Sequence, residues 1–255
     1  MTNLSVVYIS KNSEKHLSQS LASVQELADE ILLVDCGSTD QTTTIAKNFG
    51  ARVLHQEWLG FGGQRQFAVK SARYDWILML DTDEILRPDA RKLIFSAIRE
   101  SSATGFYLLR QNYIGRKPIR YSEWRNDWVL RLFDRRDGCY DTQAKVHESW
   151  RGSGPTQRLP GVSIDHYPFA FLKEMLPKLQ RYAELNAEKV YARGRFISAW
   201  APMNHGLSAF LRSYILRLGI LDGVDGAAIA WTTALGAFMK YAIAREMQLQ
   251  DKENS

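Results

Sequence analysis

Asp81-Thr82-Asp83-Glu84 carries the densest chemistry of the chain, directly after the apolar run Trp76-Ile77-Leu78-Met79-Leu80. In an extended segment residues i and i+2 point the same way. Asp81 and Asp83 could then present two carboxylates to one partner. Two hard oxygen donors suit Mg²⁺ or Mn²⁺, with a substrate diphosphate completing the shell. A solvated turn is the other reading of the same spacing, and an Asp-nucleophile phosphatase or phosphotransferase a third. Two further polar groups follow apolar runs. Ser10 and Asn12 come after Leu4–Ile9, and Asp35, Ser38 and Asp40 come after Ile31–Val34.

These groups need a scaffold that brings them together. Leu4–Ser10, Glu30–Asp35, Arg52–Gln56 and Trp76–Leu80 read as strands. Helices are expected over Glu14–Leu27, from Ser38 or Asp40 to Asn48, over Gln64–Ala72 and from Pro88 to Glu100. Leu17, Leu21 and Val24 recur on one face of the first. Gly60-Phe61-Gly62-Gly63 reads as a loop. Apolar strands alternating with helices imply an α/β sheet covered on both faces, with ligands bound beyond the carboxyl ends of its strands. All three polar groups would gather on that edge. The Asp-x-Asp falls on the fourth strand, whereas the phosphatase class carries it on the first. The segment Ser10-Lys11-Asn12-Ser13-Glu14 lacks the G-x-G-x-x-G of a dinucleotide-binding enzyme and the Gly-rich basic loop of a nucleotidyltransferase.

Four ordered motifs resemble the nucleotide-sugar-binding fold (GT-A) of the family 2 glycosyltransferases. They are Ser5-Val6-Val7 through Asn12, Val34-Asp35-Cys36-Gly37-Ser38-Thr39-Asp40, Gly62-Gly63-Gln64-Arg65-Gln66, and Leu80-Asp81-Thr82-Asp83-Glu84. Val129-Leu130-Arg131-Leu132-Phe133, Lys145-Val146-His147-Glu148 and Leu218-Gly219-Ile220-Leu221-Asp222-Gly223 extend the resemblance to the lipopolysaccharide core β-1,4-glucosyltransferase subgroup. The resemblance implies a GT-A mixed, Rossmann-like sheet over residues 1–168. Its nucleotide-sugar half is about 1–100 and its acceptor half about 101–168, followed by a helical extension over 169–255. It implies an inverting hexosyltransferase that moves glucose from a UDP-hexose to an inner-core heptose. Another glycolipid, polysaccharide or protein acceptor is the alternative. Ser10, Asn12, Glu14, Asp35, Ser38, Gln64 and Arg65 would face the nucleotide. Asp81 and Asp83 would hold the metal, joined by His166 or His147. Arg131 would add a second positive contact to the diphosphate, or be a surface strand residue.

Inversion requires a carboxylate to take the acceptor hydroxyl's proton. Glu148 is the first choice, with Glu84, Asp141 and Asp127 as the other candidates. Of the remaining histidines, His16 reads as solvated and His55 as structural.

The 255 residues carry 33 Lys and Arg against 28 Asp and Glu, a formal +5. Composition fits a folded protein and excludes a disordered, collagen-like or disulfide-rich chain. Cys36 and Cys139 read as free thiols of a reducing compartment. No secretory leader is legible at the start, so a cytoplasmic location is expected. Helices are expected over Phe169–Arg193, Leu207–Leu221 and Ala227–Met247, with a break at Trp200–Met203. The uncharged run Ala227–Met239 reads as too short to span a bilayer. Between Phe171 and Leu221 lie eight bases and three acids. Interleaved with aromatic and aliphatic residues, they suit a peripheral contact with the cytoplasmic face of an inner membrane, near a lipid-linked acceptor. Packing on another subunit is the competing reading. The charge gives no independent reason to expect a nucleic acid.

Overall fold

The computed structural model describes residues 3–142, 149–169 and 171–253. The elements run β1 (Leu4–Ser10), α1 (Glu14–Val24), β2 (Glu30–Asp35), α2 (Thr42–Asn48), β3 (Arg52–His55) and α3 (Gly60–Ser71). Then come β4 (Trp76–Leu80), β5 (Glu84–Leu86), α4 (Ala90–Glu100), β6 (Gly105–Ile114), β7 (Lys117–Pro118) and β8 (Asp127–Asp134). The chain ends through β9 (Gly138–Tyr140), β10 (Trp150–Gly152), β11 (Thr156–Phe169), α5 (Met175–Tyr191), α6 (Ala201–Leu211) and α7 (Val224–Glu253). Two compact units result: Met1–Gln111 with Asn126–Tyr167, and Asn112–Arg125 with Pro168–Ser255.

Among the described residues the main sheet runs β3-β2-β1-β4-β8-β6-β11-β5, with β7 on the end of β6. β3, β2, β1 and β4 are parallel. β8 lies antiparallel to β4 and to β6, and β5 antiparallel to β11. The sheet is therefore mixed, as a GT-A fold requires. Its central strands are apolar along their length because both faces are covered. On one face Leu17, Leu21 and Val24 of α1 and Ile94 and Ile98 of α4 pack against Val6, Tyr8, Leu33 and Leu80. On the other, Ala68 and Val69 of α3 and a stacked Phe133–Trp150 pair cover Val7, Leu32 and Met79.

The register sets Ser10 beside Asp35 and Tyr8 beside Leu80. The carboxyl ends of β1, β2 and β4 thus share one edge, where a ligand belongs in such sheets. Gly60–Gly63, expected as a loop, is instead the first turn of α3. The reason is packing: a Cβ on Gly62 would lie 2.2 Å from the Asp141 carbonyl oxygen. The glycine admits a backbone approach that no larger residue allows.

The second unit is mainly helical. β11 stays extended to Phe169 and α5 begins only at Met175, so the helix expected from Phe169 starts later. Pro202 does not break a helix. It occupies the first turn of α6, where its missing N–H is not needed. A π-turn over Arg212–Leu216 and a short 3₁₀ turn over Gly219–Asp222 lead into α7. The uncharged run Ala227–Met239 lies inside α7, a helix of 30 residues with Asp225 before the run and Lys240 after it. By length and composition its stretch Val224–Asp251 suffices to cross a membrane. The uncharged run inside it remains too short to do so alone.

Candidate functional site

The loop after β2 folds onto the loop after β1 through Asp35. Its Oδ1 accepts hydrogen bonds from the hydroxyls of Ser10 (3.0 Å) and Ser38 (2.5 Å). Its Oδ2 accepts from the backbone N–H of Gly37 (2.9 Å) and Ser38 (2.8 Å). A carboxylate has about four lone-pair directions, and its own loops supply four donors here. Burial by itself would raise the Asp35 carboxyl, but these bonds outweigh it and hold the group below its ordinary range. Asn12 adopts a left-handed conformation, φ 49°. Its Oδ1 accepts the Thr39 N–H and its own N–H donates to Ser38 Oγ, each at 2.8 Å. Glu14 Oε2 accepts the Gln41 N–H (3.0 Å), and Asp40 receives both the N–H and the hydroxyl of Thr42. The polar residues after β1 and β2 therefore make one cross-braced pair of loops.

The acidic turn after β4 is split in two. Asp81 lies between two arginines: Arg65 Nη2 donates to Oδ1 (2.7 Å) and Arg131 Nη2 to Oδ2 (2.5 Å). Burial would raise the Asp81 carboxyl. The Arg131 and Arg65 guanidiniums and the nearby His166 overcome that and hold it well below the usual range. Asp83 turns elsewhere. Its Oδ2 lies 3.7 Å from His166 Nε2. Backbone pairing fixes this approach: His166 sits opposite Glu84 in the β5–β11 register, and the Tyr167 N–H donates to the Asp83 carbonyl (3.0 Å). The segment is a turn in which the Glu84 N–H closes on the Asp81 carbonyl (3.0 Å). The i, i+2 geometry of an extended strand does not apply there.

Glu84 is fully buried. Its Oε1 accepts from Arg131 Nη2 (2.6 Å) and Arg110 Nη1 (3.2 Å), and its Oε2 from the Asp81 N–H (3.0 Å). Arg110 also donates to Asp127 Oδ2 (2.8 Å). Three arginines and three carboxylates thus form one neutral chain. Among the described residues, the buried Nε donors of Arg65 and Arg131 have no hydrogen-bond partner. The Arg65 guanidinium lies 5.9 Å from the centre of the Tyr140 ring. Arg131 is part of this buried chain and not a surface strand residue.

The remaining sequence candidates fall as follows. Gln64 is buried and donates to the Gln56 carbonyl (3.2 Å). Asp141 is half-exposed, with Arg151 Nη1 3.9 Å away. Glu148 and His147 lie outside the described residues. His16, expected to be solvated, stacks on Tyr167 with ring centres 5.4 Å apart. Arg110 and Tyr140 were not foreseen. Arg110 gave no local signal, since its pairing with Asp127 is set by the β6–β8 register. In the same unit a cavity of about 340 Å³ is lined by Tyr107, Trp128, Thr156, Gln157 and Arg158. The Arg158 guanidinium stands 5.1 Å from the Trp128 ring centre.

The acidic turn and its arginines lie at the carboxyl edge of a mixed α/β sheet, the edge where enzymes of this α/β class bind their ligands. The chain belongs to glycosyl transferase family 2, whose model matches residues 5–154, and it is a glycosyltransferase. It is similar to the lipopolysaccharide core biosynthesis glycosyltransferase LpsC of Rhizobium meliloti (strain 1021). The two are 28% identical, covering 97% of this chain and 96% of that one. The uncharacterized glycosyltransferase RT0209 of Rickettsia typhi is 26% identical over 99% of this chain and 90% of its own. Among solved structures, S. aureus TarS 1–349 shares the fold with a TM-score of 0.53. It is 15% identical and covers 98% of this chain and 92% of that one.

Proposed function

We propose that the enzyme transfers a hexose, glucose in the first instance, from a UDP-hexose to an inner-core heptose of lipopolysaccharide, with inversion. The lipid-linked acceptor places it at the cytoplasmic face of an inner membrane. The observation that carries the chemistry is the split acidic turn: Asp81 locked between Arg65 and Arg131, and Asp83 set beside His166. A carboxylate oxygen and an imidazole nitrogen fit a hard divalent cation, Mg²⁺ or Mn²⁺, which keeps its other positions for water and substrate oxygens. Asp83 and His166 would hold it. Bound there, the ion would neutralise charge developing on the departing diphosphate.

The protein's own groups do the rest. The Nε donors of Arg65 and Arg131, which have no partner among the described residues, suit diphosphate oxygens. Asp81 aims those two arginines instead of ligating the metal itself. The loops braced by Ser10, Asn12, Glu14, Asp35 and Ser38 form a nucleotide cradle whose shape Asp35 holds. Glu84 anchors Arg131 and Arg110 from a fully buried position. The proton acceptor is Glu148, with half-exposed Asp141 as the second choice. The cavity at Tyr107, Trp128 and Arg158 would receive acceptor sugars, the rings as platforms and the guanidinium for an acidic group. The phosphatase reading fails on the same geometry, since its nucleophile would be the doubly paired Asp81.

A donor screen tests this reading. Purified enzyme and heptose-terminated lipopolysaccharide are incubated with each nucleotide sugar, and nucleoside diphosphate release is followed. UDP-glucose should turn over fastest, chelation should stop it, and Asp83→Ala should abolish it while leaving the fold intact. Turnover only with a non-uridine donor would overturn the donor assignment. Full activity of Asp83→Ala would overturn the metal site.

A further inference from the structure

The second unit exposes an apolar surface that the transfer chemistry does not use. Leu216, Leu221 and Val224, on the bend between α6 and α7, are 77%, 60% and 76% exposed. This bend is not a loose loop. Asp222 is buried and accepts the N–H groups of Arg120 (3.2 Å) and Tyr121 (2.9 Å). Lys117 Nζ donates to the Asp222 carbonyl (2.7 Å) and to Asp225 Oδ2 (2.6 Å), and the Ser122 N–H donates to the Arg217 carbonyl (3.0 Å). A Cβ on Gly226 would fall 1.8 Å from the Gly219 carbonyl oxygen, so only glycine lets the start of α7 cross the bend. Polar groups are satisfied inside the bend, and the aliphatic side chains are held outside it.

The surface continues along both helices. α6 exposes Met203, Leu207 and Leu211 at four-residue steps, which is one stripe. α7 exposes Trp231 (64%) and Leu235, and the Phe210 ring of α6 lies tilted against Trp231 with ring centres 4.6 Å apart. The charge lies in the same unit. Its residues carry 15 Lys and Arg against 9 Asp and Glu, a balance of +6, whereas the first unit carries 18 against 19. A large apolar patch in a cationic unit fits the headgroup region of an anionic bilayer. α7 packs on α5 and α6. Crossing the bilayer would take Lys240, and with α5 also Glu184, toward hydrocarbon at a high cost.

We propose that this α6–α7 face docks the enzyme in plane on an anionic membrane, with the bend 215–224 entering the interface. The purpose of docking rests on the proposed lipid-linked acceptor; the docking itself rests on this unit's own surface.

Co-sedimentation of the full chain with vesicles tests it. One set is phosphatidylcholine alone, and the other contains phosphatidylglycerol. The protein should bind the anionic set, more weakly as salt rises. Leu216→Asp/Leu221→Asp/Val224→Asp should lower binding about tenfold or more, since each side chain loses its apolar burial. The variant should keep wild-type turnover on a delipidated core oligosaccharide, which separates failed docking from failed transfer. The proposal is overturned by no binding to anionic vesicles at low salt, by binding unchanged in the variant, or by retention after alkaline wash, which would mean a spanning α7. A lipid-independent dimer dissolved by the same substitutions would also overturn it.

Discussion

Arg131→Met removes one nitrogen that serves two carboxylates. Nη2 lies 2.5 Å from Asp81 Oδ2 and 2.6 Å from Glu84 Oε1. After the substitution each carboxylate keeps one cation: Arg65 at 2.7 Å for Asp81 and Arg110 at 3.2 Å for Glu84. Glu84 is the worse placed, because it is fully buried and its remaining ion pair is the longest of the four. Breaking a buried pair by removing one partner costs about 3–5 kcal/mol. For a chain of this size each kcal/mol lowers Tm by about 2–4 °C, so the expected drop is roughly 6–20 °C. Arg131→Lys should recover part of it, because one nitrogen makes both contacts. Differential scanning calorimetry reads the stability. A double-mutant cycle with Glu84→Gln reads the coupling, expected within about 0.5–3 kcal/mol. A Tm within about 2 °C of wild type for Arg131→Met, or additivity in the cycle, would rule out a central role for Arg131. The arginine would then be a dispensable neighbour and not the centre of the network.

Glu148→Gln should leave UDP binding by calorimetry unchanged and lower turnover by about a hundredfold or more, the scale of general-base loss; normal turnover would move the base to Asp141. Trp128→Ala should raise the acceptor KM several-fold and leave the donor KM unchanged, and a change confined to the donor KM would remove the cavity from acceptor binding.

The parallel half of the fold was legible because its strands are uniformly apolar. Glu30–Asp35 and Trp76–Leu80 were read with the observed bounds, each covered on both faces. The antiparallel half was not. β6 carries Arg110, Gln111 and Asn112 in sequence, a polar interruption that hides a strand. Arg110 is polar because it joins Glu84 to Asp127, so a site residue erased the signal of its own element. The acidic turn was found by residue type, but its geometry was not. Which carboxylate meets an arginine and which meets His166 depends on Arg131 and His166, 50 and 83 positions away from their partners in the chain. No local pattern carries that information. The π-turn at Arg212–Leu216 and the glycine crossing at Gly219 and Gly226 likewise arise from tertiary packing.

The formal +5 can now be assigned. The buried chain Arg65–Asp81–Arg131–Glu84–Arg110–Asp127 balances its own charge, and the first unit as a whole stands at −1. A site that receives both a cation and a diphosphate, as proposed above, gains nothing from a standing excess of either sign. Paired charges hold its donors in place and keep the resting field low, so substrate charge meets oriented groups and not a bulk potential. The surplus in the second unit obeys the opposite logic. Surface cations are worth little individually, but in number they attract a surface that is itself uniformly charged, over about a Debye length. Specificity and attraction therefore call for different charge arrangements, and the chain keeps them in different units.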